Sequence, residues 1–109
     1  MARRDPILQQ ITELLKKEFN PSRLYLFGSH ASGTARADSD YDFVMVLPHY
    51  RDDRMKTWEK CHKVIYEKYG VLADVFAYSE REFERHKQDF SSIPETAFST
   101  GKEIDLGAP

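Results

Sequence analysis

Gly28 and Ser29, ten intervening residues, and then Asp40-Tyr41-Asp42 set a small-residue turn at a fixed distance ahead of two carboxylates. The apolar run Leu24-Tyr25-Leu26-Phe27 precedes the turn, so Gly28 and Ser29 are expected where a buried strand ends and a short helix begins. Backbone N–H groups at a helix start point outward and favour anions. The run Tyr41-Asp42-Phe43-Val44-Met45-Val46-Leu47 reads as a second buried strand, and side chains two apart along a strand share a face. Asp40 and Asp42 are therefore expected side by side, where they repel unless a cation stands between them. A cluster made only of carboxylates suits a hard, oxygen-seeking ion, and magnesium fits. A third acid is needed if the site is to hold two ions about 3.5 to 4 Å apart for in-line displacement at phosphorus. Asp74 is the candidate, because it sits inside Val71-Leu72-Ala73-Asp74-Val75-Phe76-Ala77, where a lone carboxylate is costly to bury. The pattern points to metal-assisted chemistry on a nucleoside triphosphate.

The elements that must carry these residues alternate between helix and strand. Asp5-Pro6 reads as an N-cap with proline at the first helical position, and Ile7, Leu8, Ile11, Leu14, Leu15 and Phe19 form the apolar stripe of the helix it opens. That helix is expected to stop near Asn20-Pro21. A second helix is predicted from about Asp52 to Tyr69, with Met55, Trp58, His62, Ile65 and Tyr69 as its buried stripe and Gly70 as a left-handed cap. Ser79-Glu80-Arg81-Glu82 reads as a capping box opening a third long helix, with Phe83, His86 and Phe90 on its apolar edge. Ser91 to Pro94 turns into a short final helix ending at Gly101, and the tail adds a short strand. The expected fold class is α/β (α+β): a small mixed β-sheet with packed helices, in one domain spanning 1–109.

Other readings of the same residues are weaker. Asp38-x-Asp40-x-Asp42 also opens an EF-hand calcium loop, but Phe43 stands where its glycine belongs and His49 where its closing glutamate belongs. The histidines His30, His49, His62 and His86 have no close partner at zinc-site spacing. His62 lies on a helical stripe and is assigned no chemistry, and Arg36 reads as a solvated turn residue. Cys61 is the single cysteine, so it forms no internal disulfide and is expected to pack.

Composition narrows the partners. The 109 residues are 40% hydrophobic and 31% charged, as in a globular domain. A formal net charge of −2 and the lack of a basic stripe argue against long nucleic acid as the main partner. No apolar stretch approaches the roughly 20 residues of a membrane span, and Met1 to Asp5 lack a signal-peptide core. A cytoplasmic location is expected.

On Gly28-Ser29, the ten-residue spacing, Asp40-Tyr41-Asp42 and the later strand with Asp74, the chain resembles the nucleotidyltransferases of the DNA polymerase beta type, and within them the minimal nucleotidyltransferases. The likeness runs over nearly the whole chain. One departure is Ser32, where many members of the branch carry a basic residue; the phosphate contact such a residue would make is not carried over. The resemblance implies Asp40, Asp42 and Asp74 as catalytic and metal-binding residues, Gly28 and Ser29 as nucleotide-binding residues, and magnesium as cofactor. It further implies ATP as donor, a protein hydroxyl as acceptor, and a separately encoded helical partner of the HEPN type in a toxin–antitoxin pair. Two alternatives stand beside this. One is a non-catalytic antitoxin that masks its partner through aromatics such as Tyr50, Trp58 or Phe90. The other is a transferase acting on a small molecule such as an aminoglycoside.

Overall fold

In the computed structural model, which describes residues 5–107, Asp5 caps helix α1 (Pro6–Phe19) by accepting from the N–H groups of Ile7 and Leu8 at 3.1 Å. Ile11 and Leu15 are fully buried along its inner face, and Asn20 ends it in the left-handed conformation. The same Asp5 carboxylate accepts from the Tyr41 hydroxyl at 2.8 Å, which ties the helix start to the strand that carries Asp42.

Four strands follow in the chain: β1 (Arg23–Phe27), β2 (Tyr41–Leu47), β3 (Ala73–Ser79) and the two-residue β4 (Lys102–Glu103). They form one mixed sheet in the order β3-β2-β1-β4. β1 pairs antiparallel with β2 and β4, whereas β2 and β3 are parallel. Parallel neighbours require a long crossover, and helix α3 (Arg54–Tyr69) supplies it. Between β1 and β2 lies the one-turn helix α2 (Ser29–Ser32), and after β3 come α4 (Glu80–His86) and α5 (Ile93–Thr100).

The two-residue period of the strands separates two cores. Tyr41, Phe43, Met45 and Leu47 of β2, with Ala73, Val75 and Ala77 of β3, pack with Ile11, Leu15, Cys61 and Ile65 of α1 and α3. Val44 and Val46 face the other way and pack with Phe83 of α4 and Ala97 of α5. Asp42 and Asp74 keep step with this second set, so both carboxylates belong to the α4/α5 face. Burial pushes the Cys61 thiol up to about 11, leaving it protonated and packed as expected.

Several local expectations shift. The α3 face that is buried consists of Thr57, Cys61 and Ile65: Ile65 is buried as predicted, whereas Thr57 and Cys61 take the places expected for Trp58 and His62. Met55 is 61% exposed, and Trp58 and His62 sit at the margin of the sheet. The helix starts at Arg54, because Asp53 caps it through the N–H groups of Met55 and Lys56. The capping box at Ser79 and Glu82 is present, yet the helix it opens is only seven residues long. Phe90 lies beyond its end at 91% exposure and lines no apolar edge. β3 runs two residues later than the apolar run suggested, from Ala73 to Ser79, in step with β2 from Tyr41 to Leu47.

Helix α3 grips β3 by its backbone. Arg54 Nε donates to the Ala77 carbonyl at 2.7 Å, and its Nη2 reaches Glu82 of α4 at 2.7 Å. His62 Nδ1 donates to the Ala73 carbonyl at 3.1 Å. Replacing Asp5 by alanine removes a helix cap and the Tyr41 tie together, and should cost about 1–2 kcal/mol in urea unfolding. An unchanged midpoint would show that neither contact stabilises the fold.

Candidate active site

Where β1 ends, Gly28 adopts φ +75° and ψ −154°, a backbone conformation open to glycine and strained for other residues. The constraint is also steric, since a Cβ at Gly28 would collide with Asp42 Oδ2. The Gly28 carbonyl accepts from Ala31 and Ser32 at 3.1 and 3.0 Å, which winds the single turn of α2. Gly33 closes that turn at φ +81°.

The loop from Gly33 to Asp40 is folded by its own small residues. Ser39 Oγ accepts from the Arg36 N–H at 2.8 Å and the Ser39 N–H donates to the Arg36 carbonyl at 3.0 Å. His30 stacks on Tyr41 with ring centroids 3.7 Å apart, and its Nε2 lies 3.0 Å from the Ser39 carbonyl. Asp40 is thus delivered, half-buried, directly ahead of β2. Arg36 is exposed.

Asp42 stands opposite Asp74 in the parallel register and opposite Phe27 in the antiparallel one. Its carboxyl is pushed up to about 6: burial is the largest cause, followed by the charge of Asp74, a hydrogen bond shared with Asp74, and the charge of Asp40. Two carboxylates held this way share one proton or one cation. The donor set is all oxygen, and the missing side chain at Gly28 leaves room for the Asp42 carboxylate beside the turn, so these residues fit a hard divalent ion. Among the described residues, however, no three His, Cys, Asp or Glu side chains stand ready as a metal cluster. The strands bring Asp42 and Asp74 together, and Asp40 completes the acidic neighbourhood from the loop.

Asp74 has a partner that sequence reasoning missed. Trp58 Nε1 donates to Asp74 Oδ1 at 2.8 Å, and His62 Nδ1 lies 4.0 Å from the same oxygen. The His62 ring stacks on Trp58 with centroids 4.8 Å apart. The available signal was the pairing of needs: a half-buried indole N–H seeks an acceptor, and Asp74 lacked a local donor. On its other side Trp58 lines a groove of about 430 Å³ with Arg54, Met55, Phe76, Tyr78 and Ile93.

The chain that sets Asp42 of β2 beside the Gly28 turn and Asp74 of parallel β3 opposite it is matched over residues 9–104 by the family model "Polymerase beta, Nucleotidyltransferase". The chain belongs to that family. No curated protein sequence matches it at a significant level. Among solved structures it is similar to a crystal structure of a toxin–antitoxin with AMP-PNP, at TM-score 0.66 and 18% identity, over 93% of this chain and 73% of that one. It is also similar to a tyrosine-to-alanine mutant of the toxin–antitoxin MntA-HpeT, at TM-score 0.64 and 18% identity, over 90% and 71% of the two chains. At such identities the likeness is one of fold.

Gly28→Ala should lower stability by about 1–3 kcal/mol, from the positive φ and the displaced Asp42 carboxylate together, read as a drop in the unfolding midpoint. The raised Asp42 carboxyl has a pH signature with a definite sign. Between the ordinary value of 3.8 and about 6 the folded chain binds a proton that the unfolded chain does not, so lowering the pH through this window stabilises the metal-free protein. Asp42→Asn should flatten that part of the stability–pH curve; a curve parallel to wild type would show that Asp42 titrates normally.

Proposed function

We propose that the protein is a magnesium-dependent nucleotidyltransferase that moves AMP from ATP to a hydroxyl of a protein acceptor, working in the cytoplasm as the antitoxin of a HEPN-type toxin. The observation that carries this reading is the Asp42–Asp74 pair in register on adjacent strands, opening beside the Gly28 turn. Family membership supports the reaction class. The printed descriptions of the similar structures, a toxin–antitoxin with AMP-PNP and the MntA-HpeT toxin–antitoxin, support the partner and the nucleotide.

In the proposed reaction the acceptor oxygen bonds to the α-phosphorus while the bond to the β-phosphate oxygen breaks, and pyrophosphate leaves. Ser29 and the backbone after Gly28 anchor the terminal phosphates. Asp40, Asp42 and Asp74 would hold magnesium, which would supply positive charge to offset the phosphates and favour the leaving group. Asp74 would take the proton of the acceptor hydroxyl directly, or else ligate the ion that activates that hydroxyl, whose proton then passes to solvent.

The masking alternative has less to stand on than the aromatic content implied. Of its three aromatics Phe90 is exposed, whereas Tyr50 is half-buried and bonded to Thr57, and Trp58 is half-buried and bonded to Asp74. Incubation with ATP labelled at the α-phosphate, magnesium and a native cell extract should label a protein band. Asp42→Asn should abolish the label while the protein still folds and unfolds in one cooperative transition. Full labelling by a normally folded Asp42→Asn protein would overturn the assignment.

A further inference from the structure

The acidic pair is asymmetric in its support. Asp42 is confined by Gly28, whereas Asp74 is reached by a side chain from a different element, with Trp58 Nε1 2.8 Å from Oδ1. The indole is itself constrained. His62 stacks on it at an interplanar angle of 22° and is tethered at 3.1 Å to the carbonyl of Ala73, the residue immediately before Asp74. The strand backbone, His62, Trp58 and the Asp74 carboxylate thus close a ring that begins and ends on two successive residues of β3. Within that ring neither the indole plane nor the carboxylate can rotate without breaking a stacking contact or a hydrogen bond.

We propose that Trp58 is a positioning residue for Asp74: its indole N–H engages Oδ1, fixes the carboxylate rotamer, and presents Oδ2 as the oxygen available to a cation or to an acceptor hydroxyl. The inference rests on the assignment of Asp74 to the reaction made above. A carboxylate that functions through one defined oxygen requires its orientation to be set before the substrate arrives, because the cost of ordering it is otherwise met during the reaction. Donors that orient such carboxylates typically contribute 10- to 100-fold in activity or metal affinity. A tryptophan that was only packing would lose little on replacement by phenylalanine, which keeps an aromatic face for His62 and for the groove.

The chain has one tryptophan, so the full-length protein gives a single indole N–H resonance that reports on this bond without any metal or nucleotide. Asp74→Ala, which deletes the acceptor, should move that resonance upfield and speed its exchange with water. In the transfer assay Trp58→Phe should lower kcat by roughly 10- to 100-fold while leaving KM for ATP within about twofold. Ile65→Val, a cavity-forming change in the buried face of the same helix, should lower Tm and leave kcat unchanged. An indole resonance that is the same in Asp74→Ala as in wild type, or a Trp58→Phe enzyme with wild-type kcat, overturns the proposal. If the wild-type protein transfers no nucleotide, the reaction assignment fails on its own account, and the indole resonance alone decides whether Trp58 holds Asp74.

Discussion

Two carboxylates facing each other across neighbouring parallel strands constitute the constraint on which the rest of the site depends. The register that aligns Tyr41 with Ala73 and Leu47 with Ser79 also aligns Asp42 with Asp74. Neither strand can slip by one residue without turning its own inward set, Phe43 of β2 or Val75 of β3, away from the α1/α3 core. Hydrophobic burial therefore enforces an electrostatic arrangement that the acids by themselves would avoid. The unfavourable part appears as the raised Asp42 carboxyl, and the surroundings accommodate it through the absent side chain at Gly28 and the indole donor of Trp58.

The layers explain why this happens at one end of the sheet. Helices α1 and α3 cover the face built from Phe43, Met45, Val75 and Ala77, and α4 and α5 cover the opposite face around Val44 and Val46. The latter helices are seven and eight residues long; the cluster they bury takes in Val44 and Val46 of β2, whereas Asp42 and Asp74 are only half-buried. The acids occupy the part of the α4/α5 face nearest the Gly28 turn, where burial is incomplete and the carboxylates keep access to solvent.

Much of this was legible in the chain because the signals were local. Asp5-Pro6, Asn20, Gly70, and Ser79 with Glu82 each act within one helical turn, and each does what its residue type favours. Gly28, Asp42 and Asp74 were likewise readable, since a glycine turn and acids within apolar strands are conspicuous. What escaped depends on contacts distant in sequence. The buried face of α3 lies on Thr57, Cys61 and Ile65 because the crossover must return to β3, and that rotation freed Trp58 and His62 to reach the strand. The length of α4 was overestimated because a capping box specifies where a helix begins and says nothing of where it ends. The Trp58–Asp74 bond joins residues sixteen apart in sequence, beyond the reach of any periodicity argument.

The grip of α3 on β3 also bears on how the sheet meets other molecules. β3 is an outer strand, and the Leu72 carbonyl turns inward to the Tyr41 N–H. The carbonyls of Ala73 and Ala77, an odd number of residues further on, turn outward, and His62 and Arg54 already occupy them. A foreign strand seeking to extend the sheet there would have to expel a histidine that stacks on Trp58 and an arginine paired with Glu82. Side chains thus act as a selvage along the weave, guarding against edge-to-edge aggregation and steering recognition away from strand addition on this border and toward helices and loops.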